Sequence, residues 1–226
     1  MIIEIPALFS PDEVREMRAQ LEGANWTDGR VTAGHRAARV KENEQLALDD
    51  PLARALADRV LERLGQSPTF IAAALPRRVL QPRFSRYDGH GLYGNHVDNA
   101  LFPVPGTGDY VRSDVSSTLF LSDPDEYAGG ELVIEDTFGT QSIKLPAGHL
   151  IVYPSSSLHR VAPVTGGQRF VAFLWTQSFV ASAEQRRMLF ELDGAIQTLG
   201  SDHPDHASLD GLGHIYHNLL RHWSTP

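Results

Sequence analysis

The chain has 226 residues, enough for one large domain, and its 42% hydrophobic and 21% charged residues are typical of a globular protein with a sizeable core. The net charge of −8, with no block of Lys and Arg, disfavours a general nucleic-acid-binding or membrane-surface role. Because the chain contains no cysteine, disulfides, thiolate zinc sites and cysteine nucleophiles are excluded.

The first residues, Met-Ile-Ile-Glu-Ile-Pro, lack the basic segment of a secretory signal peptide and include the acidic residue Glu4. No apolar run approaches the length of a membrane span. We therefore expect a cytoplasmic protein, which also fits the lack of disulfides. Residues 2–5 are predicted to form a short strand.

Residues 1–77 carry the signals of helices. Ser10-Pro11-Asp12-Glu13 offers an N-cap, a proline suited to the first helical position and the glutamate of a capping box, so a helix begins here and runs to near Gly23. Asp50-Pro51 opens a second helix by the same logic. Its apolar face comprises Leu52, Leu56, Val60, Leu61 and Leu64, and Gly65 ends it.

From about residue 78 to residue 180, short β-branched and aromatic runs alternate with turns. The runs are 79–87, 115–121, 131–135, 141–145, 149–153 and 169–180, with turns at Gly129-Gly130 and Phe138-Gly139. This spacing predicts an antiparallel sandwich or small barrel. Residues 99–114 contain prolines and glycines with little periodicity, which predicts a long irregular binding loop or lid.

The helical pattern returns after residue 180. Ser182 with Gln185 predicts another capping box, Gly200 is expected to close that helix, and a last helix covers 208–223. The apolar residues of this last helix exceed what one packed stripe needs, which suggests a homodimer through the C-terminal helices. The prediction is an α+β fold: a domain over 1–180, with a helical buttress over 1–77 and a β core over about 78–180, and a helical extension over 181–226.

Two short segments carry the residues of a candidate metal site. His96 and Asp98 are two positions apart, so on one extended strand they would point to the same face. His159 follows a separate apolar strand and a Pro-Ser-Ser-Ser turn, and it is placed to supply a third ligand. Two histidines and one carboxylate form the facial triad of non-haem Fe(II) oxygenases, which leaves coordination positions open for other ligands.

Arg169 begins an apolar run that reads as a central strand covered on both faces. Arg169, Val171, Phe173 and Trp175 would share one of these faces. An arginine beside an apolar wall must be paired, because a buried unpaired charge is costly. Its partner is either an internal carboxylate or the carboxylate of a ligand held by the guanidinium fork, and the sequence alone leaves these two about equal.

These residues resemble a known family. Tyr87, Tyr93, His96, Asp98, the Gly129-Gly130-Glu131-Leu132 segment, His159 and Arg169 match the pattern of Fe(II)/2-oxoglutarate-dependent dioxygenases of the prolyl-hydroxylase type. The block from Tyr153 to Ser178 resembles more specifically the bacterial PKHD-type hydroxylases, the PiuC-like group, and the likeness covers nearly the whole chain.

The resemblance implies a double-stranded β-helix (jelly-roll) core and a hydroxylase that releases succinate and CO₂. It implies Fe(II) on His96, Asp98 and His159, and 2-oxoglutarate with its distal carboxylate on Arg169. Tyr87 and, more weakly, Tyr93 would line the co-substrate pocket. The other expected components are O₂, ascorbate as a candidate reductant, and a peptide or small-molecule substrate, with a link to iron homeostasis suggested by analogy alone.

Three alternatives stay open. A cupin-like metalloprotein could use the same ligands without 2-oxoglutarate, although it would have no need of Arg169. A non-catalytic metal- or ligand-binding module and a structural β-sandwich with incidental histidines are the others. His203 with His206, and His214 with His217, have spacings that suit a second metal, but surface or packing roles are their ordinary interpretation.

Overall fold

The computed structural model describes residues 1–32, 37–104, 106–136 and 139–225. Two antiparallel sheets face each other across a cavity, and helices cover the outer face of the larger sheet. This is the predicted α+β fold, with a double-stranded β-helix, or jelly-roll, at its centre. No helix in the described residues combines the length and the apolarity that crossing a membrane requires.

The larger sheet supplies the floor of the cavity. In spatial order it contains β1 (Ile3–Ile5), β14 (Leu150–Pro154), β10 (Val115–Phe120), β17 (Arg169–Ser178), β6 (Arg83–Tyr87), β4 (Glu44–Gln45) and β2 (Thr27–Asp28), and β5 (Pro76–Val79) also pairs with β17. Strand β17 lies in the middle and is buried along most of its length, as predicted. Its odd-numbered side chains from Arg169 to Trp175 line the cavity, and its alternate residues Phe170, Ala172 and Leu174 belong to the main core under the helices.

The smaller sheet forms the opposite wall. Its order is β13 (Gly139–Ile143), β12 (Leu132–Asp136), β15 (Leu158–Val161), β7 (Leu92–His96) and β3 (Lys41–Glu42). Two ribbons complete the strands: β11 (Tyr127–Gly129) with β16 (Val164–Gly167), and β8 (Leu101–Pro103) with β9 (Tyr110–Arg112). Because β3 belongs to the smaller sheet and β4 to the larger one, residues 41–45 close one side of the space between the sheets.

Three helices pack on the larger sheet: α1 (Pro11–Glu22), α2 (Pro51–Gly65) and α3 (Pro68–Ala74), with 3₁₀ turns at Gly29–Thr32 and Ala37–Val40. Helix α1 begins with the predicted capping box between Ser10 and Glu13, and Asp50 caps α2 through the backbone N–H groups of Leu52 and Ala53. The apolar faces of α1 and α2 join the strand residues in one core. Burial of this shared face, rather than helix propensity, stabilises these short helices.

The C-terminal helices are α4 (Ala183–Asp202) and α5 (Ser208–Trp223), and α5 has the predicted bounds. Tyr216, Leu219, Leu220 and Trp223 pack against a small core of Leu75, Val180 and Leu189. Much of the apolar surface that suggested a dimer is therefore used within the chain, although Ile215 stays 49% exposed. The homodimer and the domain boundary near residue 180 stay predictions.

Several predicted elements were wrong in detail. The run 79–87 is split between two strands, β5 and β6, which both pair with β17, because Pro82 between them cannot donate to that ladder. Helix α4 continues past Gly200 to Asp202. The segment 99–114 is not irregular throughout, since β8 and β9 form a hairpin with Phe102 and Val111 buried beneath it. Helix α3 and strands β7, β15 and β16 were not among the predicted elements, and Phe138 of one predicted turn lies outside the described residues.

Candidate active site

The two sheets bring His96, Asp98 and His159 together at the cavity wall. His96 and His159 are cross-strand partners on β7 and β15. Asp98 Oδ1 lies 4.0 Å from His96 Nε2 and 3.8 Å from His159 Nε2. One potential ligand atom from each residue lies within 4.8 Å of the others, and no other group of three such residues occurs in the described part of the chain. The separation is close enough for one cation to bond all three.

The strand argument for this cluster needs one correction. Strand β7 ends at His96, so Asp98 is not on the same strand and lies two residues beyond its end. Its carboxylate still turns toward the histidines, because Asp98 Oδ2 accepts a 2.5 Å hydrogen bond from the Ser116 hydroxyl. The Ser155 hydroxyl lies 2.8 Å from Ser116 Oγ and can donate to it while Ser116 donates to Asp98.

Backbone carbonyls orient the two imidazoles. His96 Nδ1 lies 2.8 Å from the Gly94 carbonyl oxygen, and His159 Nδ1 lies 3.0 Å from that of Ser157. A carbonyl can only accept, so each Nδ1 carries the proton and each Nε2 presents its lone pair toward Asp98. The two Nε2 atoms and the Asp98 carboxylate are thus oriented toward one another.

The electrostatics of the cluster also favour metal ligation. Burial, reinforced by the neighbouring His159, lowers the pKa of His96 to about 4. The His96 imidazole is therefore neutral at neutral pH. Two neutral imidazoles and one carboxylate are a donor set that suits a borderline divalent metal such as Fe(II).

Arg169 occupies the deep end of the same cavity. It is 1% exposed, and its Nε and Nη1 atoms have no hydrogen-bond partner within the described residues. Its guanidinium carbon lies 5.1 Å from the centroid of the Tyr87 ring and 5.5 Å from that of Phe120. No carboxylate of the described ranges forms an ion pair with it, which removes the first of the two partners considered from the sequence.

The backbone around Arg169 leaves room for its side chain. Gly130 has φ +68°, and a Cβ built there would lie 3.0 Å from Arg169 Cδ and 2.9 Å from the Tyr127 ring. A glycine is therefore needed both for the left-handed conformation and for the close approach. The predicted Gly129-Gly130 turn is thus part of the wall that holds Arg169 in place.

The cavity connects this arginine with the metal cluster. Its empty space measures about 780 Å³ when counted out to its open mouth. Tyr87 lies opposite Arg169 in the ladder of β6 and β17, as expected for a pocket-lining residue. Tyr93 also lines the cavity, and its ring stacks on His96 with the ring centroids 3.6 Å apart. Trp175 forms part of the outer wall with Phe102, 4.3 Å between ring centroids.

Some cavity residues were missed by sequence reasoning. Ser116, Thr118 and Tyr153 project from neighbouring strands β10 and β14, and Lys41 and Gln45 come from the segment that closes the side of the barrel. The sequence feature that could have identified Lys41 and Gln45 is the period-two pattern of Lys-Glu-Asn-Glu-Gln over residues 41–45. Its outward members include Glu44, which pairs with Arg86, while Lys41 and Gln45 are buried.

The remaining histidines do not form a second site of this kind. His203, His206, His214 and His217 are exposed, and none belongs to a three-ligand group in the described ranges. The surface interpretation fits them.

Comparison with known proteins agrees with this geometry. The model of the 2OG-Fe(II) oxygenase superfamily matches residues 82–177, and that of the PKHD-type hydroxylase C-terminal domain matches residues 184–225. PKHD-type hydroxylases of Parvibaculum lavamentivorans and Delftia acidovorans are each 58% identical to this chain, over 100% and 99% of both sequences respectively. The chain belongs to the PKHD-type hydroxylases. It is an Fe(II)- and 2-oxoglutarate-dependent oxygenase.

Two solved structures of other proteins support the fold. A Pseudomonas putida prolyl-4-hydroxylase has a TM-score of 0.54 at 19% identity, with 78% of this chain and 92% of that chain covered. A Trichoplax adhaerens prolyl hydroxylase has a TM-score of 0.53 at 15% identity, with coverages of 83% and 86%. At these identities the likeness concerns the jelly-roll alone.

Proposed function

We propose that His96, Asp98 and His159 hold the ferrous ion, and that Arg169 binds the distal carboxylate of 2-oxoglutarate. The observation that carries this proposal is the buried guanidinium of Arg169, whose Nε and Nη1 have no hydrogen-bond partner within the described residues, in the same cavity as the three convergent side chains. An unpaired buried charge is costly, so a site that retains one is built for an anionic ligand. The fork of Arg169 suits a carboxylate bound through two hydrogen bonds.

When bound, Fe(II) and 2-oxoglutarate supply the O₂-dependent oxidising chemistry that hydroxylates a C–H bond, with succinate and CO₂ as co-products. The chain supplies orientation. The Gly94 and Ser157 carbonyls fix the imidazoles, and Ser116 fixes the carboxylate of Asp98. Tyr87 limits the space beside Arg169, in the cavity that His96, Asp98 and His159 also line.

Apolar side chains form part of the cavity wall. Val161, Leu132 and Val171 contribute apolar surface, and burial raises the pKa of Tyr87, whose hydroxyl therefore stays protonated. No side chain is needed as a general base for this reaction, and we assign none. A preorganised wall favours one productive orientation of the bound reactants.

The mouth of the cavity lies beside the β8–β9 hairpin. Phe102 lines the cavity from β8, while Leu101 and Tyr110 are 56% and 60% exposed on the same ribbon. We propose that this hairpin closes over the substrate, a peptide side chain or a small molecule. Protection of residues 99–114 from proteolysis should then rise when iron, 2-oxoglutarate and substrate are all present.

The C-terminal helices contribute no cavity residue in the part of the chain that the structure describes. Arg186 of α4 is 3% exposed and donates hydrogen bonds to the carbonyls of Val180, Ala181 and Asp114. We propose that residues 181–226 are a supporting extension of a catalytic domain that spans residues 1–180.

Anaerobic titration tests the site assignment. Fe(II) and then 2-oxoglutarate are added to the wild-type protein while the visible charge-transfer absorption of the metal-bound keto acid is followed. We expect saturable absorption in the wild type, and its loss in Asp98→Ala and His159→Ala at iron concentrations that saturate the wild type. Retained absorption with unchanged iron affinity in both variants would contradict the ligand assignment. Succinate formation under O₂ is the accompanying measure of turnover.

A further inference from the structure

Two further cations, Lys41 and Arg83, lie in and beside the cavity. Lys41, one of only two lysines in the chain, is 3% exposed and lines the cavity from strand β3. Arg83 projects from strand β6, and its guanidinium carbon lies 5.3 Å from the centroid of the Trp175 ring. The proposed binding of iron and 2-oxoglutarate uses neither residue.

The strand register places Arg83 far from Arg169. On the inner face of the larger sheet, Arg83 is the cross-strand partner of Phe173, and Tyr87 is the partner of Arg169. Four residues of extended strand separate the two rows, about 13 Å at the usual rise. Arg83 therefore lies near the mouth of the cavity, beside the aromatic wall that includes Phe102 and Trp175.

Lys41 approaches the same region from the opposite sheet. Its ammonium lies 5.0 Å from the centroid of the Tyr93 ring, and it is the cross-strand partner of Tyr93. Burial, followed by the positive charge of Arg83, lowers the pKa of Lys41 to about 8, while Asp28 and Asp98 act in the opposite direction. Lys41 on the smaller sheet and Arg83 on the larger sheet are thus near enough for the charge of Arg83 to act on Lys41.

Arg83 forms no ion pair within the described ranges. No carboxylate there lies at ion-pair distance from its guanidinium, whereas nearby Arg86 pairs with Glu44. Burial also lowers the pKa of Arg83. In a chain of net charge −8, two partly or fully buried cations beside an open cavity form a local field that favours anions.

We propose that Lys41 and Arg83 recognise a carboxylate on the primary substrate, while Phe102, Phe173 and Trp175 contact an adjacent apolar or aromatic portion. This inference rests on the proposed function, because it takes the metal cluster and Arg169 as occupied by iron and 2-oxoglutarate. It narrows the substrate to a class: an acid whose carboxylate lies at the mouth of the cavity and whose apolar carbon skeleton extends along the aromatic wall.

A purely structural role for Lys41 gives different expectations. Lys41 could act through Asp98 alone, by balancing the charge of that carboxylate. Its substitution would then change metal affinity and leave ligand selectivity as it was. The test therefore measures metal binding, 2-oxoglutarate binding and anion selectivity separately.

The probes are phenylacetate and its neutral amide, phenylacetamide. Each is titrated by calorimetry into anaerobic protein that already contains Fe(II) and saturating 2-oxoglutarate. We expect the wild type to bind phenylacetate at least about tenfold more tightly than the amide, because a charge-assisted hydrogen bond contributes that much. Lys41→Met and Arg83→Gln should each remove about tenfold of this preference, and Lys41→Arg should restore it. Arg78→Gln, an exposed arginine on the neighbouring strand β5, is the matched control and should behave as the wild type.

The outcomes distinguish failure of the anion site from failure of the proposed function. If the wild type binds phenylacetate no better than the amide, or binds neither, the anion site is refuted whether or not the variants fold. The same conclusion follows if phenylacetate competes with 2-oxoglutarate, or if Lys41→Met changes only iron affinity. If 2-oxoglutarate itself shows no iron-dependent binding to the wild type, the proposed function fails instead, and that is seen before any probe is added.

Discussion

Arg169 and Tyr87 are cross-strand partners on β17 and β6, and the guanidinium carbon lies 5.1 Å from the centroid of the tyrosine ring. The ring covers the cation without offering it a carboxylate. Arg169 is thus held in position by packing while two of its nitrogens keep their hydrogen-bonding capacity for a ligand. The predictions below concern this arginine, its glycine neighbour and the metal cluster.

Substitution of Arg169 should separate co-substrate binding from metal binding. We expect Arg169→Gln to raise the dissociation constant of 2-oxoglutarate by about a hundredfold, the effect of losing a charged, two-point contact. Fe(II) affinity should change little, because Arg169 is not in the metal cluster. Calorimetry with each ligand measures both. Arg160→Gln, which removes an exposed arginine paired with Glu135 beside His159, is the control, and equal 2-oxoglutarate affinity in both variants would contradict the anchor assignment.

Ser116 should affect Fe(II) affinity through its hydrogen bond to Asp98. Removing the hydroxyl in Ser116→Ala takes away the hydrogen bond to Asp98 Oδ2 and should weaken Fe(II) binding about tenfold, the usual effect of losing such an orienting partner. Ser117→Ala is a matched control on the same strand, since the buried Ser117 hydroxyl has no hydrogen-bond partner in the described residues. Metal competition titrations compare the two. Equal losses would mean that the serine acts through the strand and not through Asp98.

Gly130 should matter to co-substrate binding although it is not a ligand. In Gly130→Ala the added Cβ meets Arg169, Tyr127 and Val164 at 3.0 Å or less. We expect a several-fold loss of 2-oxoglutarate affinity together with destabilisation of about 1–2 kcal/mol from the positive φ. Gly89→Ala is the control, because Gly89 also has positive φ but faces open space. It should lose stability by a similar amount and keep its 2-oxoglutarate affinity.

The sequence predicted the parts of this site that depend on residue type. His96, Asp98, His159 and Arg169 combine in a pattern that few other chemistries need, and the structure gathers them in one cavity. An antiparallel β core and the main helices were likewise predicted, because their caps, turns and alternating strands are local signals, whereas the jelly-roll topology was an expectation from the family resemblance.

The missed parts depend on long-range pairing. Strands β3 and β4 are two residues each, too short for a period-two pattern, yet their pairing with β7 and β6 carries Lys41 and Gln45 into the cavity. The partnership of Ser116 with Asp98 likewise exists only once β10 lies beside the end of β7. Helix α3, seven residues long, has too few turns to show a periodic stripe.

The low pKa of His96 should make the metal-free protein sensitive to acid. Between pH about 6.5 and about 4, the unfolded chain binds a proton at His96 that the folded protein does not bind, so the free energy of unfolding falls as the pH is lowered. The contribution lost across this window is about 3 kcal/mol. Chemical denaturation of wild type and His96→Gln over this pH range measures it. The free energy of unfolding of the variant should depend less steeply on pH. Identical slopes for the variant and the wild type would contradict the lowered pKa of His96.

The position of the metal is the most direct test of the account. A crystal of the protein grown without O₂, with Fe(II) and 2-oxoglutarate, can be measured on both sides of the iron absorption edge. The account predicts one strong anomalous peak at bonding distance from His96 Nε2, His159 Nε2 and an Asp98 oxygen, with the far carboxylate of 2-oxoglutarate on Arg169. An iron peak elsewhere, for example among His203, His206, His214 and His217, with the cavity cluster empty, would contradict it.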